Sequence, residues 1–292
     1  MITIAICTYN RCGSLRTTLA SFAACEVPAG LEWEMLLVDN ASTDATPAVA
    51  REFDGALPLR YIFEPKQGLS HARNRAVAEA SGSGLLLFTD DDILVERSWI
   101  EAYHAAASRH PEADFFGGRV IPHFSEGRPS WLLDERMDLL DGFYGCYDLG
   151  PEMREIIGGD ILPIGGSMGF RQSCFSGSQR FRTDLGVIGR GMGRGEETEF
   201  LGRLVRDGKR GLYVARARCH HGVLPERLKF GCAFRYGLAC GGGRGSLPRA
   251  ALFVLRGIRQ LLIGRGDRAR QCAIRAGMEV RKASHFNAEL IT

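Results

Sequence analysis

Short apolar segments alternate with helical patterns over roughly the first 120 residues, and this order limits the fold more than any other feature of the sequence. The segments that read as buried strands are ITIAIC, EWEMLLVDN, LRYIFEP, GLLLFTD and ADFFGGRVIP. Strands that alternate with helices pair in parallel and are covered by helices on both faces. The sequence therefore predicts an α/β fold built on a parallel sheet.

The segments between these strands carry helical signals. In the first of them, Leu15, Leu19 and Phe22 share one helical face. Ser42 or Thr43 is a plausible N-terminal cap for the second helix. Further helices are predicted at GLSHARNRAVAEAS, SWIEAYHAAASRHP and EETEFLGRLVRDG.

Polar residues follow three of the predicted strands at the point where each strand ends. They are Thr8, Tyr9 and Asn10 after the first strand, Asp39 and Asn40 after the second, and Asp90, Asp91 and Asp92 after the fourth. Ligands of parallel sheets bind at the carboxyl ends of the strands, so these groups should converge on one crevice. Adjacent carboxylates repel one another and are costly to bury unpaired, so the aspartate triplet indicates either a polar loop with a helix cap or a bound cation.

Missing motifs exclude several classes of α/β protein. CTYNR follows the first strand in place of GxGxxG, and no Walker A motif occurs, which argues against a dinucleotide-binding protein and a P-loop protein. A haloacid-dehalogenase-like phosphatase stays an alternative, although DDDIL lacks the Thr or Val expected after the aspartates and no second acidic loop follows. The net charge of +3 is too small to indicate a nucleic-acid partner.

Cysteine usage and targeting signals bear on the compartment. The nine cysteines include no CxxC pair, which fits reduced thiols in a cytoplasmic protein. The N-terminus lacks the pattern of a signal peptide, and no window approaches the roughly 20 apolar residues of a transmembrane helix. We therefore expect a cytoplasmic location.

Eight segments in order resemble the inverting family 2 glycosyltransferases, which have the GT-A fold. They are ITIAICTYNR with LRTTLASF, EMLLVDNASTD, KQGLSHARNRA, LLLFTDDDI, GGSMGFRQSCF, FRTDLG, GEETEFLGRLVRDG and ARCHHGVLPERL. The resemblance implies a Rossmann-like, mostly parallel central sheet with flanking helices. Two positions depart from the family pattern, because the second acidic motif is Glu-Glu rather than Glu-Asp and Ser167 stands where Asn is often found.

The resemblance also implies a domain organisation. A glycosyltransferase domain is expected at residues 1–225, with a nucleotide-sugar half at 1–120 and an acceptor and catalytic half at 121–225. A C-terminal helical extension should cover 226–292. Its segment RAALFVLRGIRQLLIGR reads as a basic amphipathic helix, which can lie on an anionic membrane as a peripheral contact or pack on the domain with its arginines in water.

The first strand ends supply the expected seat of the nucleotide-sugar donor. By the resemblance, Thr8, Tyr9, Asn10 and Arg11 lie against the base and ribose. Asp39 is expected to accept a hydrogen bond from a pyrimidine ring N–H. The resemblance favours UDP or dTDP as the nucleotide.

The aspartate triplet is the expected site of the diphosphate and its cation. By the resemblance, Asp92 ligates Mg²⁺ or Mn²⁺ directly, Asp90 contacts the ribose or the metal, and His220 approaches the metal or the diphosphate. Asp91 is more structural, and Arg73 is similar to a basic residue near the diphosphate. A hard divalent cation would stabilise the charge that develops on a leaving diphosphate.

The motif GEETEF supplies the expected catalytic base. Glu197 aligns with the family's base and Glu196 with the carboxylate that orients the acceptor, but two glutamates leave the choice between them open. The acceptor is expected to be a carbohydrate, lipid-linked or other hydroxyl in polysaccharide or glycoconjugate biosynthesis. The alternative from another class is a catalytically inactive protein that only binds nucleotide sugars.

Overall fold

The alternating segments form a central sheet with flanking helices in a computed structural model. The structure describes residues 1–80, 84–125, 127–128, 141–189, 195–223, 225–229, 232, 264–266 and 268. Within this part of the chain the sheet has nine strands, in the order β3-β2-β1-β4-β8-β6-β9-β5, with β7 paired to β9.

The first half of the sheet is parallel, as the sequence predicts. It consists of β1 (Ile2–Thr8), β2 (Trp33–Asp39), β3 (Leu59–Phe63) and β4 (Leu85–Asp90). The helices that connect and follow these strands are α1 (Cys12–Ala23), α2 (Thr46–Glu52), α3 (Leu69–Glu79) and α4 (Trp99–Arg109). Parallel strands need such crossover connections, and here helices supply them.

The second half of the sheet pairs antiparallel. Its strands are β5 (Ile93–Val95), β6 (Phe115–His123), β7 (Arg154–Ile156), β8 (Met168–Arg171) and β9 (Gly211–Gly222). Two helices, α5 (Asp141–Tyr144) and α6 (Glu196–Arg206), belong to this part of the chain. The sheet is therefore mixed, because the Gly- and Pro-rich sequence after β6 does not repeat the strand–helix alternation that parallel pairing requires.

The early helices agree with the sequence pattern except at one cap. Leu15, Leu19 and Phe22 are buried on α1, which confirms the predicted face. The prediction of Ser42 or Thr43 as the cap of α2 was wrong, because α2 begins only at Thr46 and the Asp44 carboxylate accepts the Thr46 backbone N–H at 3.0 Å. The Ser42 hydroxyl instead accepts the backbone N–H of Asn10, in the loop that follows β1.

Two apolar cores lie on opposite faces of the sheet. Along β1, Ile4 and Ile6 belong to one core and Ala5 to the other, as the alternation of side chains in a strand requires. The second core contains a group of phenylalanines whose rings pack edge to face or stacked, namely Phe170, Phe175, Phe181 and Phe200. Phe200 belongs to α6, so this packing fixes the helix that carries the GEETEF motif.

The chain divides into two compact units. One unit consists of Met1–Ile121 and Tyr147–His221, and the other of Pro122–Cys146 and Gly222–Thr292. The functional domains expected at 1–225 and 226–292 stay predictions. No helix among the described residues is long and apolar enough to cross a membrane.

Gly118 on β6 lies where three groups approach its backbone. A Cβ atom there would lie 2.2 Å from Ser167 Oγ, 2.6 Å from the Ala217 carbonyl oxygen and 2.7 Å from Tyr103 Oη. Gly118→Ala should therefore lower the free energy of unfolding by about 1–3 kcal/mol in urea denaturation, because it overpacks the core. Gly13→Ala on the exposed side of α1 is the control, since a Cβ there meets nothing within 4 Å. An unchanged midpoint for Gly118→Ala would contradict this packing.

Candidate active site

Three strand ends meet at one edge of the parallel half of the sheet. Thr8 on β1 lies opposite Asp39 on β2, and Cys7 lies opposite Asp90 on β4. The polar groups expected to converge therefore occupy neighbouring strands. The aspartate triplet begins where β4 ends and continues to β5.

Asp91 is the buried member of the triplet. Its Oδ2 accepts a hydrogen bond from Thr8 Oγ1 at 2.7 Å, and its Oδ1 accepts one from Arg11 Nη1 at 3.1 Å. Its carbonyl oxygen accepts the Thr18 hydroxyl at 3.0 Å. Burial, with the neighbouring Asp92 carboxylate, raises the pKa of Asp91 to about 7 against the opposing effect of Arg11. Asp91 thus ties β1, α1 and the triplet together, in agreement with a structural role.

Asp92 keeps one oxygen open within the site. Its Oδ2 accepts a hydrogen bond from Arg11 Nη1 at 2.6 Å. Its Oδ1 is buried and accepts no hydrogen bond from the part of the chain that the structure describes, although His221 Nε2 lies 3.5 Å away. A buried carboxylate oxygen without a donor fits a divalent cation, which prefers oxygen ligands.

Asp90 faces the opposite side of the triplet and is partly exposed. Its Oδ1 lies 3.6 Å from Arg73 Nη2. Burial raises the pKa of Asp90 above its ordinary value, the Arg73 guanidinium opposes this shift, and the Asp92 carboxylate adds to it. A cation beside these two carboxylates would offset the repulsion between their charges.

The adjacent histidines of β9 point in different directions. His220 lies opposite Leu94 of β5, and its Nε2 is 3.1 Å from Glu96 Oε1. His221 is the residue whose ring approaches Asp92. The structure therefore does not bring His220 to the aspartates as expected, because side chains alternate along the strand and the next residue takes that face.

Arg73 connects the aspartates to the acidic motif of α6. Its Nη1 donates to Glu196 Oε1 at 2.6 Å and lies 3.6 Å from Glu197 Oε2. The guanidinium is buried and lies over the Phe181 ring, 5.6 Å from its centroid. The guanidinium is thus engaged by carboxylates within the protein, and the place near the diphosphate that the resemblance implies for Arg73 stays a prediction.

The two carboxylates at the start of α6 have different surroundings. Glu196 is buried, and burial raises its pKa to about 7, with Arg73 opposing and Glu197 adding to the shift. Its Oε2 accepts no hydrogen bond from the described residues and lies near the loop at Gly186. Glu197 has 22% of its side chain exposed. Glu197 is therefore the more exposed carboxylate of the pair.

The loops after β1 and β2 are joined by hydrogen bonds. Asn10 adopts a left-handed backbone with φ of 52°, and its Oδ1 accepts the Thr43 backbone N–H at 2.7 Å. Its own N–H donates to Ser42 Oγ at 2.9 Å. Tyr9 lies between β1 and this loop and is partly buried. Asn10 thus joins the two loops. The neighbouring Arg11 donates hydrogen bonds to Asp91 and Asp92.

Asp39 has no exposed surface in this arrangement. Its Oδ1 accepts the Ser42 backbone N–H at 2.8 Å, and its Oδ2 accepts the Tyr61 hydroxyl at 2.6 Å. Each carboxylate oxygen of Asp39 thus accepts one hydrogen bond within the protein. The hydrogen bond from a pyrimidine N–H that the resemblance implies stays a prediction. Tyr61 was not expected at the site, and only its place on the strand next to Asp39 could have indicated it.

Two further positions were not expected from sequence reasoning. Ser167 Oγ accepts the Trp99 indole N–H at 3.1 Å and lies 2.9 Å from Tyr103 Oη, so the residue that departs from the family pattern is a buried part of the core. Gly165, in the segment GGSMGFRQSCF of the resemblance, passes so close to Arg73 that a Cβ would lie 2.3 Å from Nη2. Only the paired glycines at 165–166 signalled this close approach.

Some expected features lie outside the described residues. The amphipathic segment at 249–265 is among them, except its last two residues. Among the residues that are described, no group of three or more His, Cys, Asp or Glu side chains stands in an arrangement that could hold a metal by itself. A cation at Asp90 and Asp92 would therefore need ligands from a bound substrate or water.

Comparison with known proteins indicates the family of the chain. Residues 3–174, more than half of the chain, match the family model described as glycosyl transferase family 2. Glucosyl-dolichyl phosphate glucuronosyltransferase of Haloferax volcanii is 23% identical over 235 residues, covering 78% of the chain and 71% of the relative. Validoxylamine A glucosyltransferase of Streptomyces hygroscopicus is 32% identical over 108 residues, which cover 36% of this chain and 25% of the relative.

Solved structures show a similar fold at low sequence identity. The mannosyltransferase PcManGT from Pyrobaculum calidifontis, in complex with GDP-Man and Mn²⁺, has a TM-score of 0.59 at 19% identity and covers 94% of this chain and 85% of its own. TarS 1–349 of S. aureus, in complex with UDP-GlcNAc, has a TM-score of 0.57 at 17% identity. The match covers 81% of this chain and 65% of the TarS chain.

The extent of these matches differs between relatives. The chain spans a quarter of the length of validoxylamine A glucosyltransferase and just under two thirds of TarS 1–349. The family model, however, covers the strands β1 to β4 and the aspartate triplet without interruption. The chain belongs to glycosyl transferase family 2 and has the GT-A fold.

Proposed function

We propose that the chain is a metal-dependent, inverting glycosyltransferase that moves a sugar from a nucleoside diphosphate sugar to an acceptor hydroxyl. The observation that carries this proposal is the joining of two acidic groups by one buried arginine. Arg73 lies between Asp90 of the triplet and the pair Glu196 and Glu197. A cation site and a base are thereby held in one cluster, which is what a glycosyl transfer from a diphosphate needs.

The cation would be Mg²⁺ or Mn²⁺, held by Asp92 and Asp90. The donorless Oδ1 of Asp92 and the partly exposed carboxylate of Asp90 supply hard oxygen ligands. Bound there, a divalent cation neutralises charge that develops on the diphosphate as it leaves. Mn²⁺ accompanies the substrates in the solved structures of PcManGT and GalNAc-T7. His221 is better placed than His220 to lie beside this site.

The donor would bind along the ends of β1 and β4. The residues expected to contact the donor there are Thr8, Tyr9, Asn10 and Arg11, and Asp91 holds Thr8 and Arg11 by hydrogen bonds. We favour UDP or dTDP as the nucleotide, following the family resemblance. The similar solved structures contain UDP, UDP-GlcNAc or GDP-Man, so they agree with a nucleotide sugar as the donor class.

Glu197 would act as the general base. Its carboxylate lies in the first turn of α6 and is more exposed than that of Glu196. In the proposed step the carboxylate takes the proton of the acceptor hydroxyl as that oxygen bonds to the anomeric carbon. The bond from this carbon to the diphosphate oxygen breaks, and its electron pair leaves with the nucleoside diphosphate. Attack from the face opposite the leaving group inverts the anomeric configuration.

The acceptor would be a carbohydrate, lipid-linked or other hydroxyl, and the pathway polysaccharide or glycoconjugate biosynthesis. One relative carries glucosyl-dolichyl phosphate in its name, and another, from Mycobacterium bovis, is named PGL/p-HBAD biosynthesis glycosyltransferase. The cytoplasmic location and a peripheral membrane contact of the C-terminal segment belong to this proposal as well.

A donor-hydrolysis screen tests the proposal. The protein is incubated with UDP-, dTDP- and GDP-sugars in Mn²⁺, Mg²⁺ or EDTA, and the released nucleoside diphosphate is quantified. We expect slow release from one nucleotide class, with loss of the signal in EDTA. Tight donor binding without release, in the presence of diverse acceptors, would instead support an inactive nucleotide-sugar-binding protein. Equal release in EDTA would contradict the metal role.

A further inference from the structure

Arg11 supplies a positive charge to the aspartate triplet from within the chain. Its Nη1 donates to Asp92 Oδ2 at 2.6 Å and to Asp91 Oδ1 at 3.1 Å, so one nitrogen bridges two adjacent carboxylates. A guanidinium is always charged in proteins. Arg11 therefore offsets part of the repulsion between the two aspartates.

The backbone of Arg11 is fixed, whereas its side chain reaches solvent. Arg11 is the N-cap residue of α1, and its carbonyl oxygen accepts the Leu15 N–H at 3.0 Å. The preceding residue, Asn10, donates its N–H to Ser42 Oγ at 2.9 Å. The Arg11 side chain is 41% exposed, and ion pairs of such side chains are weakened by water and salt. The guanidinium can thus leave Asp92 while the backbone stays in place.

Asp92 depends on this guanidinium more than Asp91 does. Asp91 has a second donor, since its Oδ2 accepts the Thr8 hydroxyl at 2.7 Å. Within the described part of the chain, Asp92 accepts a hydrogen bond from Arg11 at Oδ2 and none at Oδ1, and His221 Nε2 lies 3.5 Å from Oδ1. A group that displaces Arg11 from Asp92 must therefore bring a positive charge of its own.

We propose that Arg11 competes with the divalent cation for Asp92 and thereby lowers the affinity of the site for that cation. A carboxylate carries one negative charge, which its two oxygens share. A guanidinium on Oδ2 therefore weakens the attraction of a cation to the same group, and the two positive charges repel each other. This inference rests on the proposed function and adds to it a residue that controls loading of the cation.

A rival arrangement makes the opposite prediction. In it, Arg11 holds the Asp92 side chain in the rotamer that presents Oδ1 to the cation, and both positive groups bind together. Removal of the guanidinium would then release the Asp92 side chain and weaken binding of the cation. Under our proposal, removal of the guanidinium frees the charge of Asp92, so the cation binds more tightly.

Titration of Mn²⁺ into the wild type and Arg11→Gln, followed by electron paramagnetic resonance, decides between these arrangements. The titration uses Mn²⁺ alone and is repeated in UDP or GDP at a concentration that saturates each variant. We expect Arg11→Gln to lower the dissociation constant of Mn²⁺ about 2–10-fold, because the cation no longer has to replace a charged hydrogen bond. Arg11→Lys keeps a positive charge at this position, so it should bind Mn²⁺ less tightly than Arg11→Gln does.

The unfolding midpoint gives a second readout. Without Mn²⁺, the midpoint of Arg11→Gln should fall, because Asp91 and Asp92 lose the positive charge that they share. A ligand that binds only the folded state stabilises it more when its affinity is higher. One concentration of Mn²⁺ should therefore raise the midpoint of Arg11→Gln more than that of the wild type. If Arg11 were only structural, its replacement would lower the midpoint without enlarging the effect of Mn²⁺.

Arg16→Gln is the matched control. Arg16 also belongs to α1, has 51% of its side chain exposed, and pairs with Glu52 at 2.7 Å rather than with the aspartates. Its replacement should leave Mn²⁺ binding unchanged. If it tightened Mn²⁺ binding as much as Arg11→Gln, a general change in surface charge would be the cause, and the inference would be wrong.

Two further outcomes separate this inference from the proposed function. If Arg11→Gln binds Mn²⁺ no more tightly than the wild type, or if Arg11→Lys tightens binding equally, the inference alone is overturned. A wild-type protein that binds no Mn²⁺, with or without UDP or GDP, would overturn the metal dependence in the proposed function together with the inference.

Discussion

Replacing Glu197 with Gln should lower the rate of glycosyl transfer by about 10²–10⁴-fold, the usual contribution of a general base. The amide keeps the shape of the side chain but cannot take the acceptor proton. Donor binding should survive, because Glu197 lies in α6 while the expected donor contacts lie at the ends of β1 and β4. The measurement is single-turnover transfer with the donor identified by hydrolysis, with the dissociation constant of the nucleoside diphosphate measured alongside.

Glu199→Gln is the matched control for this variant. Glu199 belongs to the same first turn of α6, has a similar exposure of 21%, and pairs with Arg203 at 2.8 Å rather than with the Arg73 cluster. Its replacement should change the rate little. If Glu197→Gln and Glu199→Gln have equal rates, the base lies elsewhere and the one-step inverting mechanism loses its main support.

Glu196→Gln is a poor test of catalysis in this protein. The resemblance assigns Glu196 to the acceptor, but the side chain is buried against Arg73. Removal of one partner of a buried ion pair leaves the other charge uncompensated, which typically costs about 3–5 kcal/mol of stability. A loss of activity in this variant would thus report on the Arg73 cluster as much as on the acceptor.

The parallel half of the fold could be predicted from sequence because its signals are local. Apolar runs of strand length, helical periodicity and polar residues at the strand ends all lie within a few residues of each other. The convergence of Thr8, Asp39 and Asp90 on one edge then follows from parallel pairing alone. The same reasoning could not give the antiparallel half, whose short strands are separated by irregular segments.

The partners of individual side chains at the site were harder to predict because they depend on distant parts of the chain. Arg73 and Glu196 are 123 positions apart, and no local pattern of the sequence indicates that they pair. The hydrogen bond from Tyr61 to Asp39 depends on the rotamer of Tyr61 on the edge strand β3, and no local sequence pattern indicates that rotamer. His220 and His221 give a simple example. The strand that contains them could be predicted from sequence, but the face of the sheet on which each side chain lies depends on the register of that strand.

Asp92→Asn should reduce transfer at least about 10²-fold, because a divalent cation supplies several kcal/mol of charge stabilisation to a leaving diphosphate. The amide is close in size to the carboxylate but lacks the charge that holds a hard cation. Binding of Mn²⁺ in the presence of UDP or GDP, followed by electron paramagnetic resonance, should weaken in parallel. The unfolding midpoint should change less than for a fully buried carboxylate, since Asp92 pairs with the partly exposed Arg11 and lies 3.5 Å from His221 Nε2.

The neighbouring Asp91→Asn separates the metal role from a structural one. Asp91 binds Thr8, Arg11 and Thr18 from a buried position, so its replacement should lower the unfolding midpoint while Mn²⁺ binding persists. Opposite patterns in the two variants would assign the cation to Asp92 and the joining of β1 and α1 to Asp91. If Asp92→Asn binds Mn²⁺ as the wild type does, or transfers sugar equally well with and without EDTA, then its open Oδ1 has another purpose and the aspartate triplet is a polar loop.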